Sequence, residues 1–173
     1  MESASAKLLV LVGKHFACIK VIGRANFNSS LDFRTVIAEL QAKDYSWFVI
    51  DLAECVLMDS TFLGVLAGVG LKMRRDGDAG DAARVTLLNP NPRVSELIEN
   101  LGASDLFRIA QGHLAPPEPL HACATQPGQA TREELTRACL EAHETLMAIH
   151  PENAARFKDV AQFLAEDLKK FRP

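Results

Sequence analysis

The sequence has no CxxC pair, no two histidines four apart, no Walker A loop, no G-x-S-x-G elbow and no HExxH. Each absence removes a kind of chemistry: dithiol redox, a helical metal site, nucleotide hydrolysis, an α/β-hydrolase nucleophile, a zincin. The four cysteines, Cys18, Cys55, Cys123 and Cys139, are scattered and read as free thiols. His15, His113, His121, His143 and His150 show no ligand spacing, so no metal or cofactor is expected. Basic residues form no stripe and the net charge is -3, which gives no hold on nucleic acid. Lys169, Lys170 and Arg172 are too few for a polybasic anchor. No apolar run approaches the roughly 18 residues that span a bilayer. The apolar run at 8–12 is too short for a secretion signal and has no basic region before it, so a cytoplasmic location is expected.

What is present fits one globular domain with an appendage: 173 residues, 48% of them apolar and 24% charged. Residues 7–12 and 15–22 read as strands, with Ala17, Ile19 and Val21 on one face and Gly13-Lys14 as the hairpin turn. Gly23-Arg24-Ala25-Asn26 reads as the loop that ends the second strand. A helix is expected over 31–42, with Asn28, Ser29 or Ser30 as its cap. The run WFVI at 47–50 is apolar on both faces, as in a central strand. A short connection leads to a long helix over 60–75. Its three glycines, Gly64, Gly68 and Gly70, each cost about 1 kcal/mol in a helix and are read as allowing close packing on the sheet. Residues 75–83 form a polar turn whose acidic spacing does not suit calcium. A strand at 84–88, a helix from the Asn91-Pro92 cap to 101, and a short edge strand at 106–109 follow.

From 110 to 130 four prolines and two glycines replace the periodic pattern, which reads as a linker. Thr131 and Glu134 then make a capping box that opens a helix, and Pro151 breaks it into a second one. The expected division is 1–110 as the main domain, 111–130 as the linker and 131–173 as a helical hairpin. Neither hairpin helix can bury its apolar stripe alone. The pair must dock on the main domain, on another copy or on a partner.

The chain's chemistry concentrates at Met58-Asp59-Ser60-Thr61, where an acid and two hydroxyls open an apolar helix. The first turn of a helix carries free N–H groups and favours negative charge. Thr61 has no sequence-adjacent His or Lys to activate it, so docking is favoured over catalysis unless a histidine reaches it through the fold. One oxygen of the cluster suffices to cap the helix, which leaves the others for recognition.

The order strand, strand, helix, strand, helix, strand, helix, with FVIDLAECVLMDSTFLGVLAGVGLKMRR at its centre, resembles the STAS domain of anti-sigma factor antagonists. The central run is similar to the family's strand, then D-hydrophobic, then MDSSGLGVL and a basic-ended helix. Pro92, Val94 and Leu97 fit its next helix, and Gly23-Arg24-Ala25-Asn26 fits its G-x-x-D loop. The resemblance implies an α/β fold, a mixed sheet of four to five strands with helices packed on it, and no enzymatic activity. It implies reversible docking on an anti-sigma factor that is also a GHKL-type kinase, phosphorylation at Thr61 (alternatively Ser60), and a phosphatase that restores binding. The docking residues it implies are Arg24, Asn26, Phe27, Asp59, Ser60, Thr61 and Phe62. Two positions depart from the family: Phe62 replaces a Gly and reads as either core or exposed anchor, and Asn26 replaces an acid. The alternative is a non-switching scaffold or small-anion-binding module whose hairpin serves oligomerisation, a homodimer being one form.

Overall fold

The computed structural model describes residues 5–74, 83–113, 119–123 and 128–171. The polar turn at 75–82, residues 114–118 and 124–127 of the linker, and Arg172 lie outside them. Adjacent Leu/Val/Ile-rich runs pair most readily across a tight turn. β1 (Lys7–Val12) and β2 (Phe16–Ala25) do so as antiparallel partners, from Lys7 opposite Ile22 to Val12 opposite Ala17. Gly13 closes the turn by donating its N–H to the Phe16 carbonyl at 2.8 Å.

β3 (Trp47–Asp51), β4 (Cys55–Met58), β5 (Val85–Leu88), β6 (Arg108–Ala110) and β7 (His121–Cys123) complete the sheet. Its order is β6-β5-β3-β2-β1-β7, with β4 attached to β2. β1 pairs antiparallel with β2 and β7; all other pairs are parallel, so the sheet is mixed as expected. It holds seven strands rather than four to five. β4 was hidden because residues 52–54 before it contain no turn former. β7, inside the expected linker, has three residues and none that is β-branched or aromatic.

Residues 23–26 are not a loop. β2 continues through Ala25, and its register shifts between Gly23 and Arg24. Gly23 takes φ +101°, a conformation open to glycine, and the bulge carries β2 from β3 onto β4. α1 (Phe27–Ala42) accordingly begins a turn earlier than 31, because Asn26 rather than a later residue is its cap. Phe33, Val36, Ile37 and Leu40 form its buried stripe.

α2 (Ser60–Met73) is apolar nearly all round, and the fold accounts for it. One side lies on the sheet and the other beneath a later helix. α3 (Pro92–Asn100) starts at the expected Asn91 cap, and a single 3-10 turn, Ser104–Leu106, leads into β6. α4 (Arg132–Ile149) opens with the Thr131/Glu134 capping box, and α5 (Glu152–Lys169) follows Pro151. Of the three docking options, the hairpin takes its own domain. Ala142 and Leu146 of α4 share one core with Phe62, Leu63, Leu66 and Ile50. α5 packs chiefly on α4. The junction is pinned by the buried Asn153, whose amide donates to the carbonyls of Leu101 and Leu146, both at 2.8 Å.

The glycines of α2 do not serve the sheet. Gly64 faces the backbone of α4: a Cβ built there would touch the Ala142 carbonyl and lie 2.6 Å from the Ala142 Cβ. Gly70 faces Leu106 and Phe107, and Gly68 has open space. No described helix is long and apolar enough to cross a membrane.

Gly64→Ala separates two effects of opposite sign. Helix propensity alone would stabilise α2 by about 1 kcal/mol. The clash with α4 predicts net destabilisation of about 1–3 kcal/mol, read by urea denaturation with tryptophan fluorescence. A more stable variant would contradict the close crossing of α2 and α4.

Candidate functional site

β2 and β4 run parallel and end together, Ala25 opposite Met58. Each hands the chain to a helix at once, so α1 and α2 begin side by side. Asn26 caps α1: its Oδ1 accepts from the Ser29 N–H at 3.2 Å, and the Ser29 hydroxyl accepts from the Asn26 N–H at 3.0 Å. Asp59 caps α2 and also reaches the other helix. Its Oδ1 accepts from the Phe62 N–H and its Oδ2 from the Phe27 N–H, both at 2.8 Å. The Asp59 N–H in turn donates to the Ala25 carbonyl at 2.9 Å. One carboxylate thus sits at two helix N-termini. Burial is the largest influence and leaves its pKa raised, against the Phe62 and Phe27 N–H groups and the nearby His143, which act to lower it. The carboxylate also fills the anion position that the sequence left open for a small ligand.

Next come the two hydroxyls, and α4 covers both. Ser60 Oγ lies 3.0 Å from His143 Nε2, and Thr61 Oγ1 lies 3.2 Å from Cys139 Sγ. His143 Nδ1 is 2.7 Å from the Cys139 carbonyl, which can only accept. Nδ1 therefore carries a proton, and in the neutral ring Nε2 accepts from the Ser60 hydroxyl. The ring is only 4% exposed and meets Phe157 of α5 edge-on, with centroids 4.9 Å apart. The Cys139 thiol is held protonated: burial raises its pKa and the Asp59 charge adds to this, against a bond from Thr61.

The expected docking residues separate into two sets. Arg24 and Phe27 are exposed, Phe27 by 47%, and Val56 of β4 beside them is 55% exposed. Asn26, Asp59 and Ser60 are half-buried. Thr61 is only 5% exposed. Phe62 is not a surface residue: it points into the core, fully buried, with its ring 5.1 Å from that of Phe33. Its burial contributes about 2 kcal/mol to the fold, which is why a residue larger than glycine is accommodated there.

The sequence reading missed His143 and Cys139 as site residues. The signal was available, since both fall on the stripe of α4 that also carries Ala142 and Leu146. What sequence could not supply was that this stripe faces Ser60. A histidine does reach the hydroxyl cluster through the fold, but it reaches Ser60 and not Thr61. A serine on a histidine is the beginning of a nucleophile–base pair. Here His143 belongs to α4 and its ring meets Phe157 of α5, so the bond ties α4 to α2. Among the described residues no three His, Cys, Asp or Glu side chains converge as metal ligands.

Comparison with known proteins locates this arrangement. The family model of the STAS domain matches residues 9–114, more than half the chain. A STAS-domain containing protein of Pseudomonas aeruginosa (strain UCBPP-PA14) is 30% identical over 92 residues, which cover 53% of this chain and 85% of that protein. Among solved structures, the anti-sigma factor antagonist SpoIIAA in its unphosphorylated form aligns with a TM-score of 0.50 at 19% identity, over 61% of this chain and 88% of that one. The phosphorylated form of SpoIIAA, described as a Bacillus cell fate determinant, aligns at 0.47 and 19%, over 61% and 91%.

Asp59→Ala removes the acceptor for two N–H groups at once. A helix cap is worth about 0.5–2 kcal/mol, and loss of the second acceptor contact, to the Phe27 N–H, adds to it. The expected destabilisation is about 2 kcal/mol in urea denaturation. A loss under about 0.5 kcal/mol would show that Asp59 does not bridge the two helices.

Proposed function

The chain belongs to the STAS domain family, and from that premise we propose that it is a regulatory docking module of the anti-sigma factor antagonist kind. The observation that carries the proposal is the pair of adjacent helix N-termini bridged by Asp59, with Ser60 and Thr61 in the first turn of α2. The docking face consists of Arg24, Asn26, Phe27, Asp59, Ser60 and Thr61. Its partner is an anti-sigma factor that is also a GHKL-type kinase, and a phosphatase reverses the modification. The likeness of fold to SpoIIAA, named as an anti-sigma factor antagonist, supports this reading. The protein works in the cytoplasm by binding and not by catalysis, with a STAS unit ending near residue 110 and the hairpin from 131 as its appended regulator.

Thr61 is the acceptor, with Ser60 as the alternative. A phosphoryl group adds about -1.5 to -2 charges and three strong acceptor oxygens. The first turn of α2 favours such a charge, so the helix survives the modification. The surroundings do not accommodate it. Asp59 is the preceding helix cap and repels it, and Cys139 Sγ stands 3.2 Å from the Thr61 oxygen. A partner face seated on this turn is expelled for the same reasons.

The test is a pull-down from native cells with the wild type, Thr61→Ala and Thr61→Glu, with bound proteins identified by mass spectrometry. The expected result is a GHKL-type kinase on the Ala variant, recovered at least about tenfold less on the Glu variant. Phosphate should map to Thr61 or Ser60 of the wild type. Equal recovery on both variants, with neither hydroxyl ever modified, would contradict the switch.

A further inference from the structure

The docking reading has a steric consequence: Thr61, at 5% exposure, is closed to any partner while α4 stays in place. The covering element is a helix, and it fits α2 in a specific manner. Cys139, Ala142, His143 and Leu146 lie at i, i+3, i+4 and i+7, one stripe of α4. Cys139 and His143 meet the Thr61 and Ser60 hydroxyls. Ala142 lies on Gly64, close enough that a Cβ on Gly64 would collide with it. The two backbones touch because neither helix carries a large side chain at the crossing. Beside the crossing, α4 leaves a cavity of about 200 Å³ among Arg34, Ile37, Gly68, Ala138 and Glu141. Among the described residues an ion pair spans it, Arg34 with Glu141 at 2.8 Å, which is solvent-exposed and contributes about 0–1 kcal/mol. α5 packs chiefly on α4, so the hairpin moves with α4; its hold on the main domain is the burial of Ala142 and Leu146 and the Asn153 amide on the Leu101 carbonyl.

We propose that the face of α2 from Ser60 to Gly68 is a helix-receiving groove, that α4 is its displaceable resident, and that the partner enters it as an amphipathic helix. The chemistry of the resident defines that partner helix. It carries a small residue, matching Ala142, to pass over Gly64. It places a hydrogen-bonding side chain one turn away, over the hydroxyls, where Cys139 and His143 now stand. Removal of α4 exposes the hydroxyls and the groove together, so binding and modification become competent in the same step. Modification of either hydroxyl closes the groove to both helices. The inference rests on the docking reading for its biology and on α4 alone for its geometry.

The test uses the full chain with Ala142→Glu, which drives a carboxylate against the Gly64 backbone and leaves α2 unaltered. The probe is a fluorescent synthetic peptide with the sequence of residues 131–150, followed by anisotropy. The expected result is binding to the variant at least tenfold tighter than to the wild type, whose groove is filled. The same peptide carrying Ala142→Glu should not bind. Equal binding to variant and wild type, or none to a folded variant, overturns the groove. If the variant does not fold, native-state hydrogen exchange on the wild type decides. The α4 and α5 amides should then exchange together and at least tenfold faster than those of β3 and β5. Exchange of α4 at the rate of the sheet overturns the displaceable resident. A wild-type dimer that forms with rising concentration in sedimentation assigns the groove to a second copy and overturns the partner helix. No kinase or cell extract enters these assays, so their failure leaves the Thr61 pull-down to be judged separately.

Discussion

The contact between Gly64 and Ala142 constrains everything around the site. Two helices whose backbones touch must both be small at the crossing, and a single methyl group on α2 would lift α4 away. With the crossing in place, α4 lies low enough for His143 to reach Ser60 and for Cys139 to reach Thr61. It also gives α2 a second buried side. This accounts for a helix whose residues 61–67 are all buried and which shows little amphipathic contrast. The price is three helical glycines, each unfavourable by about 1 kcal/mol in isolation. Gly64 at least is explained by α4, and Gly70 by the approach of Leu106 and Phe107.

The second constraint is electrostatic. Parallel strands β2 and β4 deliver two helix starts to one place, and Asp59 binds an N–H from each. A half-buried carboxylate is costly unless several donors hold it, and here backbone donors do. The site is therefore pre-ordered around a negative charge. A second one on the neighbouring hydroxyl meets helix N-termini that favour it and a carboxylate and a covering helix that do not. That imbalance is what makes the hydroxyl pair suited to a switch under the proposed reading.

Much of this was legible in the sequence. The Asp59, Asn91 and Thr131 caps stand where their side-chain chemistry put them, since a cap needs only one residue type at a helix start. The STAS architecture and the hydroxyl pair followed from the order of elements around them. The α1 start was misplaced because Asn26, Asn28, Ser29 and Ser30 are all good caps. The choice of Asn26 depends on β2 continuing through Gly23, a bulge that pairing with β4 imposes. Short strands such as β7 form because an edge is available on β1, which is a tertiary fact. The same limit hid the most important feature. Periodicity showed that α4 has an apolar stripe, but only the folded chain shows that the stripe covers Ser60 and Thr61. The hydroxyls look exposed in sequence and are not. Phe62, open to two readings, is resolved by its ring against Phe33.

Under the proposed reading, the site is a docking surface with its own helix already in place. The exposed remainder, Arg24 and Phe27, is available to a first encounter, while the hydroxyl pair is withheld. The most direct measurement of this placement is disulfide trapping with Thr61→Cys. The Thr61 hydroxyl and Cys139 sulfur are 3.2 Å apart, so the new thiol should form a bridge to Cys139 under mild oxidation of the folded chain. Peptide mapping should recover the 61–139 cross-link as the main product. A folded chain in which residue 61 forms no bridge to Cys139 would contradict the account.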